Sequence, residues 1–274
     1  MKILKKIKGI YSKIKKHPIV KQEKGAALLR YLKFNTITSF DNRPRIYKWV
    51  NGLKFMAQKG DAGIVPNIYF KLFDYEDSIF ILDTLNSDSV FVDIGANVGH
   101  FTLLAASCNA EVYSFEPIPA TFKKLEANIM LNKLSINLNN LGIGEKTDYL
   151  YFTQNLGVMN RVEFKENENT VKVKTIRLDD FSFKKKPTFI KIDVEGFEWF
   201  VLQGAENVLE STELKYILIE INNSGTKFSI DNEQIHSYLL QKGFSPYRYN
   251  YDSKQLERID SYRKDKFNTL YVKN

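Results

Sequence analysis

The chain has 274 residues and a single cysteine, Cys108. An intrachain disulfide and any cysteine-built zinc site are excluded on that count. Cys108 ends the run Leu103-Leu-Ala-Ala-Ser-Cys and reads as a small buried residue. No apolar run is long enough for a signal-peptide core or a membrane span. There is no phosphate-binding P-loop and no Ser/His/Asp signature. Internal repeats and low-complexity segments are missing too.

Basic excess is missing from most of the chain, although the formal net charge is +8. Seven of the 40 basic residues are lysines within the first 16 positions, which hold no acid; 33 basic and 32 acidic residues remain elsewhere. A nearly neutral body argues against an extended nucleic-acid surface. The basic tail carries Ile3, Leu4, Ile7, Ile10, Tyr11 and Ile14 at helical spacing. Such a helix can lie on an anionic membrane as a peripheral contact, or pack its apolar stripe on the protein body or a partner. The expected location is cytoplasmic, with any membrane contact at the inner face.

The 43% hydrophobic content can fill a core, and the length suits one α/β domain with an extension. Residues 1–73 read as the extension and 74–274 as the domain. A helix is expected over 20–33, then a hairpin over 45–58 turning at Asn51-Gly52. Pro66 to Phe73 reads as a short helix or loop, and Asp74 as the cap of a helix to about Leu85. Beyond it, strands at 89–94, 111–115, 136–141, 188–193 and 214–221 alternate with helices at 98–107, 119–132, 198–210 and 231–242. Segments 149–153 and 171–176 read as an antiparallel excursion, and 244–249 with 269–272 as a closing antiparallel pair. Strands alternating with helices predict an α/β, Rossmann-like doubly wound sheet.

The richest stretch is Val90-Phe-Val-Asp-Ile-Gly-Ala-Asn-Val-Gly-His100, followed by Val112-Tyr-Ser-Phe-Glu-Pro117. A buried strand breaks into a Gly turn and a helix, and the next strand ends in an acid. That pair makes a nucleoside site: the turn admits backbone close to the ligand, and Glu116 can accept both ribose hydroxyls. The spacing also suits dinucleotides. Their G-x-G-x-x-G turn, however, uses its second Gly to make room for pyrophosphate. Here Asn97 stands at that position, which favours S-adenosylmethionine. A helix starting near Val98 offers N–H groups to its carboxylate, and Asp93 is placed to face its amine. The expected cofactor residues are Asp93, Gly95, Ala96, Asn97, Gly99, Glu116 and Pro117.

Acids also end later strands: Asp193 and Glu195 in Phe189-Ile-Lys-Ile-Asp-Val-Glu-Gly196, then Glu220 with Asn222. Burying so many acids needs a cationic ligand or a metal as partner. Asp193, Glu195 and Glu220 are the candidate bases for an alcohol acceptor, with His100 as an alternative. The same carboxylates with the Asn222 amide would suit Mg²⁺. Glu195 can alternatively cap the next helix. Tyr247, Tyr249 and Tyr251 share a strand face and could stack on a sugar, unless they pack the sheet. The polar loop 154–170 is a candidate acceptor-recognition segment. The Asn/Asp-Pro-Pro-aromatic turn of amino-directed methyltransferases and the Pro-Cys nucleophile of cytosine-C5 methylation are both missing.

In these blocks the chain resembles the FkbM family of methyltransferases. The resemblance rests on Val92-Asp-Ile-Gly-Ala-Asn-Val-Gly99, Phe115-Glu-Pro117, Thr175-Ile-Arg-Leu-Asp-Asp-Phe181, Ile192-Asp-Val-Glu-Gly-Phe-Glu198, Val201-Leu-Gln-Gly-Ala205 and Ile219-Glu220. It spans roughly residues 75–273 and leaves 1–60 unmatched. It implies a class I S-adenosylmethionine-dependent O-methyltransferase acting on a sugar, glycan or small molecule, often in polysaccharide biosynthesis. It puts Asp93, Gly95, Asn97, Gly99 and Glu116 in the cofactor site, and Asp193 and Glu195 toward the acceptor. His100 stands where the family commonly has an aromatic residue. Two other readings remain open from the residues: a NAD-dependent oxidoreductase of similar fold, and a noncatalytic nucleoside-binding module with a membrane- or partner-binding tail.

Overall fold

The computed structural model describes residues 2–153, 162–163 and 167–274. The basic tail is α1 (Lys2–Lys16), and α2 (Lys24–Phe40) follows it. The second helix outruns the expected 20–33 because Ala27, Phe34 and Thr38 continue one buried face. Strands β1 (Arg45–Lys48) and β2 (Lys54–Ala57) form the expected hairpin. Asn51 and Gly52 turn it with φ of 53° and 75°, the left-handed pair that matches strand twist. Then come α3 (Asn67–Phe70) and α4 (Tyr75–Thr84). Asp74 precedes α4 in a left-handed conformation, and its side chain makes no capping bond.

The alternating part runs β3 (Val90–Ile94), α5 (His100–Ser107), β4 (Glu111–Phe115), α6 (Pro119–Leu131) and β5 (Asn137–Asn139). A smaller sheet interrupts it, made of β6 (Gly142–Ile143), β7 (Asp148–Thr153), β8 (Val162–Glu163) and β9 (Thr170–Ile176). The chain resumes with β10 (Phe189–Ile192), α7 (Glu198–Gln203), α8 (Glu206–Glu210), β11 (Tyr216–Glu220) and α9 (Asn232–Gln241). It closes with β12 (Phe244–Asn250), β13 (Gln255–Arg258) and β14 (Asn268–Lys273). The single helix expected over 198–210 is two. A side chain at Gly204 would start 1.9 Å from the Gly144 carbonyl oxygen. Asp179 then caps the second helix by accepting from the Asn207 and Val208 amides.

The main sheet has the order β13-β12-β14-β11-β10-β3-β4-β5. Strands β5, β4, β3, β10 and β11 are parallel, and β14 runs antiparallel between β11 and β12. This is the doubly wound, Rossmann-like α/β sheet with a terminal antiparallel set. β3 and β10 are buried at every position, as parallel strands covered on both faces must be. The N-terminal segment shares their surroundings. Ile14, Phe34 and Phe55 pack in one cluster with Val98, Leu103 and Leu125. Among the described residues no helix is long and apolar enough to cross a membrane.

Candidate active site

The chain leaves β3 toward β4 and β5, then returns on the other side of β3 as β10. The sheet therefore switches direction between β3 and β10, where open α/β sheets place ligands. Ile94 is in register with Ile192 on one side and Phe115 on the other. Gly95, Asp193 and Glu116 are thus the first residues past three adjacent strand ends. A side chain at Gly95, whose φ is +81°, would start 1.9 Å from the Asp193 carbonyl oxygen. Only glycine lets the turn cross the switch point this closely.

A cavity of about 830 Å³ opens over these ends, within the range of small-molecule sites. Gly95, Ala96, Asn97, Glu116 and Pro117 line it, as do Asp193, Glu195 and Glu220. Two expected cofactor residues, Asp93 and Gly99, lie behind the turn. Asp93 is fully buried behind the turn, with one carboxylate oxygen accepting from Thr102 Oγ1 at 2.6 Å. Gly99 ends the turn at the start of α5, where a side chain would meet Leu125 Cδ1 at 2.8 Å. Neither lines the cavity. The turn also keeps most of its N–H groups for itself. Those of Gly95 and Ala96 bond to Phe115 O, and that of Asn97 to Glu116.

Glu116 accepts from the Asn97 amide at 2.9 Å and the Ile118 amide at 3.0 Å. Each oxygen keeps a lone pair for a hydroxyl in the cavity. Burial pushes its carboxyl up to about 7, against the two amides, which pull it down.

Asp193, Glu195 and Glu220 bring carboxylate oxygens within 4.8 Å of one another. Burial and then the charges of Asp193, Glu198 and Glu195 push Glu220 up to about 9, so it holds a proton at neutral pH. Glu195 sits in left-handed backbone, φ 55°, with Gly196 at 101° behind it. It does not cap α7. No side chain caps that helix; Glu198, its first residue, reaches back and accepts from the loop amides of Val194 and Gly196. Asn222 is also withdrawn, because its amide oxygen accepts from the Ser224 amide at 2.7 Å. The amide expected to complete a metal site is therefore engaged elsewhere.

The sequence reading missed Lys191. Its side chain is 3% exposed and reaches Asp193 at 3.0 Å and Asp93 at 3.9 Å. Burial lowers its affinity for a proton, but the two aspartates outweigh this and raise it. The ammonium also lies 5.1 Å from the Phe101 ring centre. A lysine in the apolar strand Phe189-Ile-Lys-Ile was the available signal, since buried lysine demands a partner.

His100 lines the cavity but is tied on both nitrogens. Asn67 Nδ2 donates to its Nδ1 at 2.9 Å, and its Nε2 meets Ser78 Oγ at 2.9 Å. Ser78 gives its own proton to Phe73 O, so it accepts from Nε2. Burial and the Lys191 charge drop the imidazole to about 3. It is a neutral brace, not a base. Asp74 fronts the cavity and is exposed to it, while protein crowds its other sides and raises its carboxyl. The three tyrosines pack rather than present a platform. Tyr249 is buried on Phe80 and donates to Asp83, Tyr251 meets Tyr75 edge-on, and Tyr247 joins the same apolar cluster. The expected recognition loop at 154–170 falls largely outside the described residues.

The profile of the Methyltransferase FkbM domain matches residues 93–246. The chain belongs to this family. It is 29% identical over 145 residues to the hexuronic acid methyltransferase AglP of Haloferax volcanii, an overlap of 52% of this chain and 59% of that protein. It is 27% identical over 198 residues to methyltransferase 1 of Beauveria bassiana, covering 62% of this chain and 77% of that one. A crystal structure of an FkbM methyltransferase from Methylobacillus flagellatus aligns with a TM-score of 0.43 and 16% identity, over 89% of this chain and 59% of that chain.

Proposed function

We propose that the protein is an S-adenosylmethionine-dependent O-methyltransferase acting on a hydroxyl of a sugar, glycan or glycan-linked intermediate. The observation that carries this is one cavity with Glu116 at the β4 end and Asp193, Glu195 and Glu220 at the β10 and β11 ends. The donor set suits a nucleoside with a cationic tail. Glu116 keeps lone pairs for a ribose diol, and Asn97 holds a side chain where a pyrophosphate would need space. Bound S-adenosylmethionine would supply an electrophilic methyl group on a sulfonium. The acids do the rest: Asp193 and Glu195 orient the acceptor hydroxyl and take its proton. Glu220, protonated, donates a hydrogen bond.

Membership in a methyltransferase family favours this over nicotinamide chemistry, and the sugar named for the haloarchaeal relative supports the acceptor class. Mg²⁺ fits poorly. The three carboxylates are close enough to share an ion, but the Asn222 amide is engaged and Lys191 already brings a positive charge. Excess chelator should leave activity unchanged.

The test has two parts. Calorimetry of the purified protein should show binding of S-adenosylmethionine and none of NAD, with E116A weakening it at least tenfold. S-adenosylhomocysteine should accumulate when a glycan extract is added. Tight NAD binding, or silence with every sugar-bearing extract, would overturn the proposal.

A further inference from the structure

The cavity has two electrical ends. Its floor at the strand ends is acidic, with Glu116, Asp193, Glu195 and Glu220. Its mouth carries ammonium groups from opposite ends of the chain: Lys13 and Lys16 of α1, and Lys266 of the segment between β13 and β14. Lys13 and Lys16 are three apart on one helix and so share a face. Between them Ile14 is fully buried in the body, which fixes the helix over the opening. His17, one residue beyond α1, bonds to Leu72 O at 2.9 Å and stacks on Phe70, fastening that end. It also lies close enough to Lys266 to feel its charge.

The two sets of lysines differ in what they already hold. Lys266 is paired with Glu76 at 2.8 Å. Of the other acids that line the cavity, Asp265 is taken by Arg263, Asp77 accepts from Asn268, and Asp74 lies within reach of the Lys191 and Lys266 charges. Lys13 and Lys16 are exposed and have no ion pair among the described residues. Two unpaired ammonium groups held at the mouth of an acid-floored cavity raise the local concentration of anions there. A neutral pyranose can take hydrogen bonds from them but makes no use of their charge.

We infer that the acceptor carries an oxyanion, a carboxylate or a phosphate, which Lys13 and Lys16 bind at the mouth while its hydroxyl reaches Asp193 and Glu195. The inference rests on the sugar-acceptor reading above. It makes α1 part of the binding site and accounts for the one strongly basic segment of the chain by its position.

The experiment uses the full chain and three matched acceptors: a methyl hexopyranoside, the corresponding methyl hexuronoside and the hexose phosphate. KM comes from S-adenosylhomocysteine release, and each sugar is also titrated into the S-adenosylhomocysteine complex. One or both anionic acceptors should show a KM at least about tenfold below the neutral one, and which of them does so separates carboxylate from phosphate. K13Q/K16Q should abolish that difference, a loss of about tenfold for two solvent-facing charge contacts. The melting temperature and S-adenosylhomocysteine affinity should stay at wild-type values. Equal KM for neutral and anionic acceptors would overturn the inference and leave the sugar reading intact. So would a double variant that weakens S-adenosylhomocysteine binding but keeps the acceptor preference, since the lysines would then serve the cofactor. Neither binding nor turnover of any of the three sugars would remove the reading and the inference together.

Discussion

Replacing Lys191 with methionine removes one charge from the most enclosed part of the site and leaves the volume nearly unchanged. Its ammonium lies 3.0 Å from Asp193 and 3.9 Å from Asp93. With an effective dielectric near 20, those distances correspond to attractions of about 5 and about 4 kcal/mol. Burying the ammonium costs several kcal/mol in return. Removing it forfeits the attraction and leaves Asp93, 1% exposed, with Thr102 as its hydrogen-bond partner. Breaking a buried pair from one side typically costs about 3–5 kcal/mol. For a chain of this size that is roughly 6–15 °C of melting temperature. The penalty should depend on pH. Burial already holds Asp93 above its ordinary value, and loss of the ammonium moves it further up. A carboxyl raised in the folded state loses stability as pH rises through the window between its unfolded and folded values. The K191M deficit should therefore be largest near pH 8 and clearly smaller near pH 5. Adding D93N to K191M removes the orphaned charge and should recover at least about 1 kcal/mol. Thermal melts of the four proteins at both pH values decide the matter. A loss under 2 °C at pH 8, an equal loss at both pH values, or no recovery in the double variant would refute the account.

Three further outcomes follow from the same geometry. G95A places a methyl group against the Asp193 carbonyl in left-handed backbone. It should cost several kcal/mol in stability and reduce methyl-donor affinity at least a hundredfold, both readable by thermal shift with and without S-adenosylhomocysteine. Glu116 titrates near 7 in the free protein, so this group costs the ligand-free fold stability as pH rises from about 4.5 toward 7. Hydroxyls donating to its carboxylate favour the ionised form. Cofactor affinity should thus rise by up to about tenfold per pH unit below pH 7 and level off above it, and E116Q should flatten that profile in calorimetry. H100Q should cost about 1–3 kcal/mol, because Asn67 and Ser78 lose a buried partner. Its pH–rate profile should keep the wild-type shape, since the imidazole does not titrate near neutrality.

What was legible in the sequence was local. The apolar run of β3, its Gly turn and the acid ending β4 lie within 27 residues of one another, and each piece has its own signature. The alternation of strands with helices gave the sheet in the same way. What escaped reading depends on contacts across the chain. The break between α7 and α8 is set by Gly144, 60 positions before Gly204. The role of His100 is decided by Asn67 and Ser78, which no helical spacing would suggest. Asp93 looked like a ligand-facing acid because strand ends usually present their side chains to the site. In the fold Thr102, one turn into α5, captures it from behind. Glu195 and Glu198 divide the turn between them for a geometric reason. Left-handed backbone at residues 195 and 196 turns Glu195 to the cavity and leaves the loop amides to Glu198.

Those displacements share one cause, the handling of negative charge at the switch point. Asp93, Asp193 and Glu220 gather around a single ammonium, with Glu195 and Glu198 beside Glu220. Lys191 offsets one of the two aspartate charges from below, and Glu198 spends one oxygen on loop amides. Burial and its acidic neighbours leave Glu220 protonated. The set is thus partly compensated from inside the protein, by one ammonium and one protonated carboxyl. A hydroxyl entering the cavity meets one carboxyl able to donate, Glu220, and two able to accept, Asp193 and Glu195. Of the two acceptors Asp193 is pinned by Lys191 at 3.0 Å. Glu195 occupies a backbone conformation that non-glycine residues seldom adopt. Strain of that kind persists where the side chain's position matters. That makes Glu195 the carboxylate we propose for taking the acceptor's proton, with Asp193 fixing the geometry beside it.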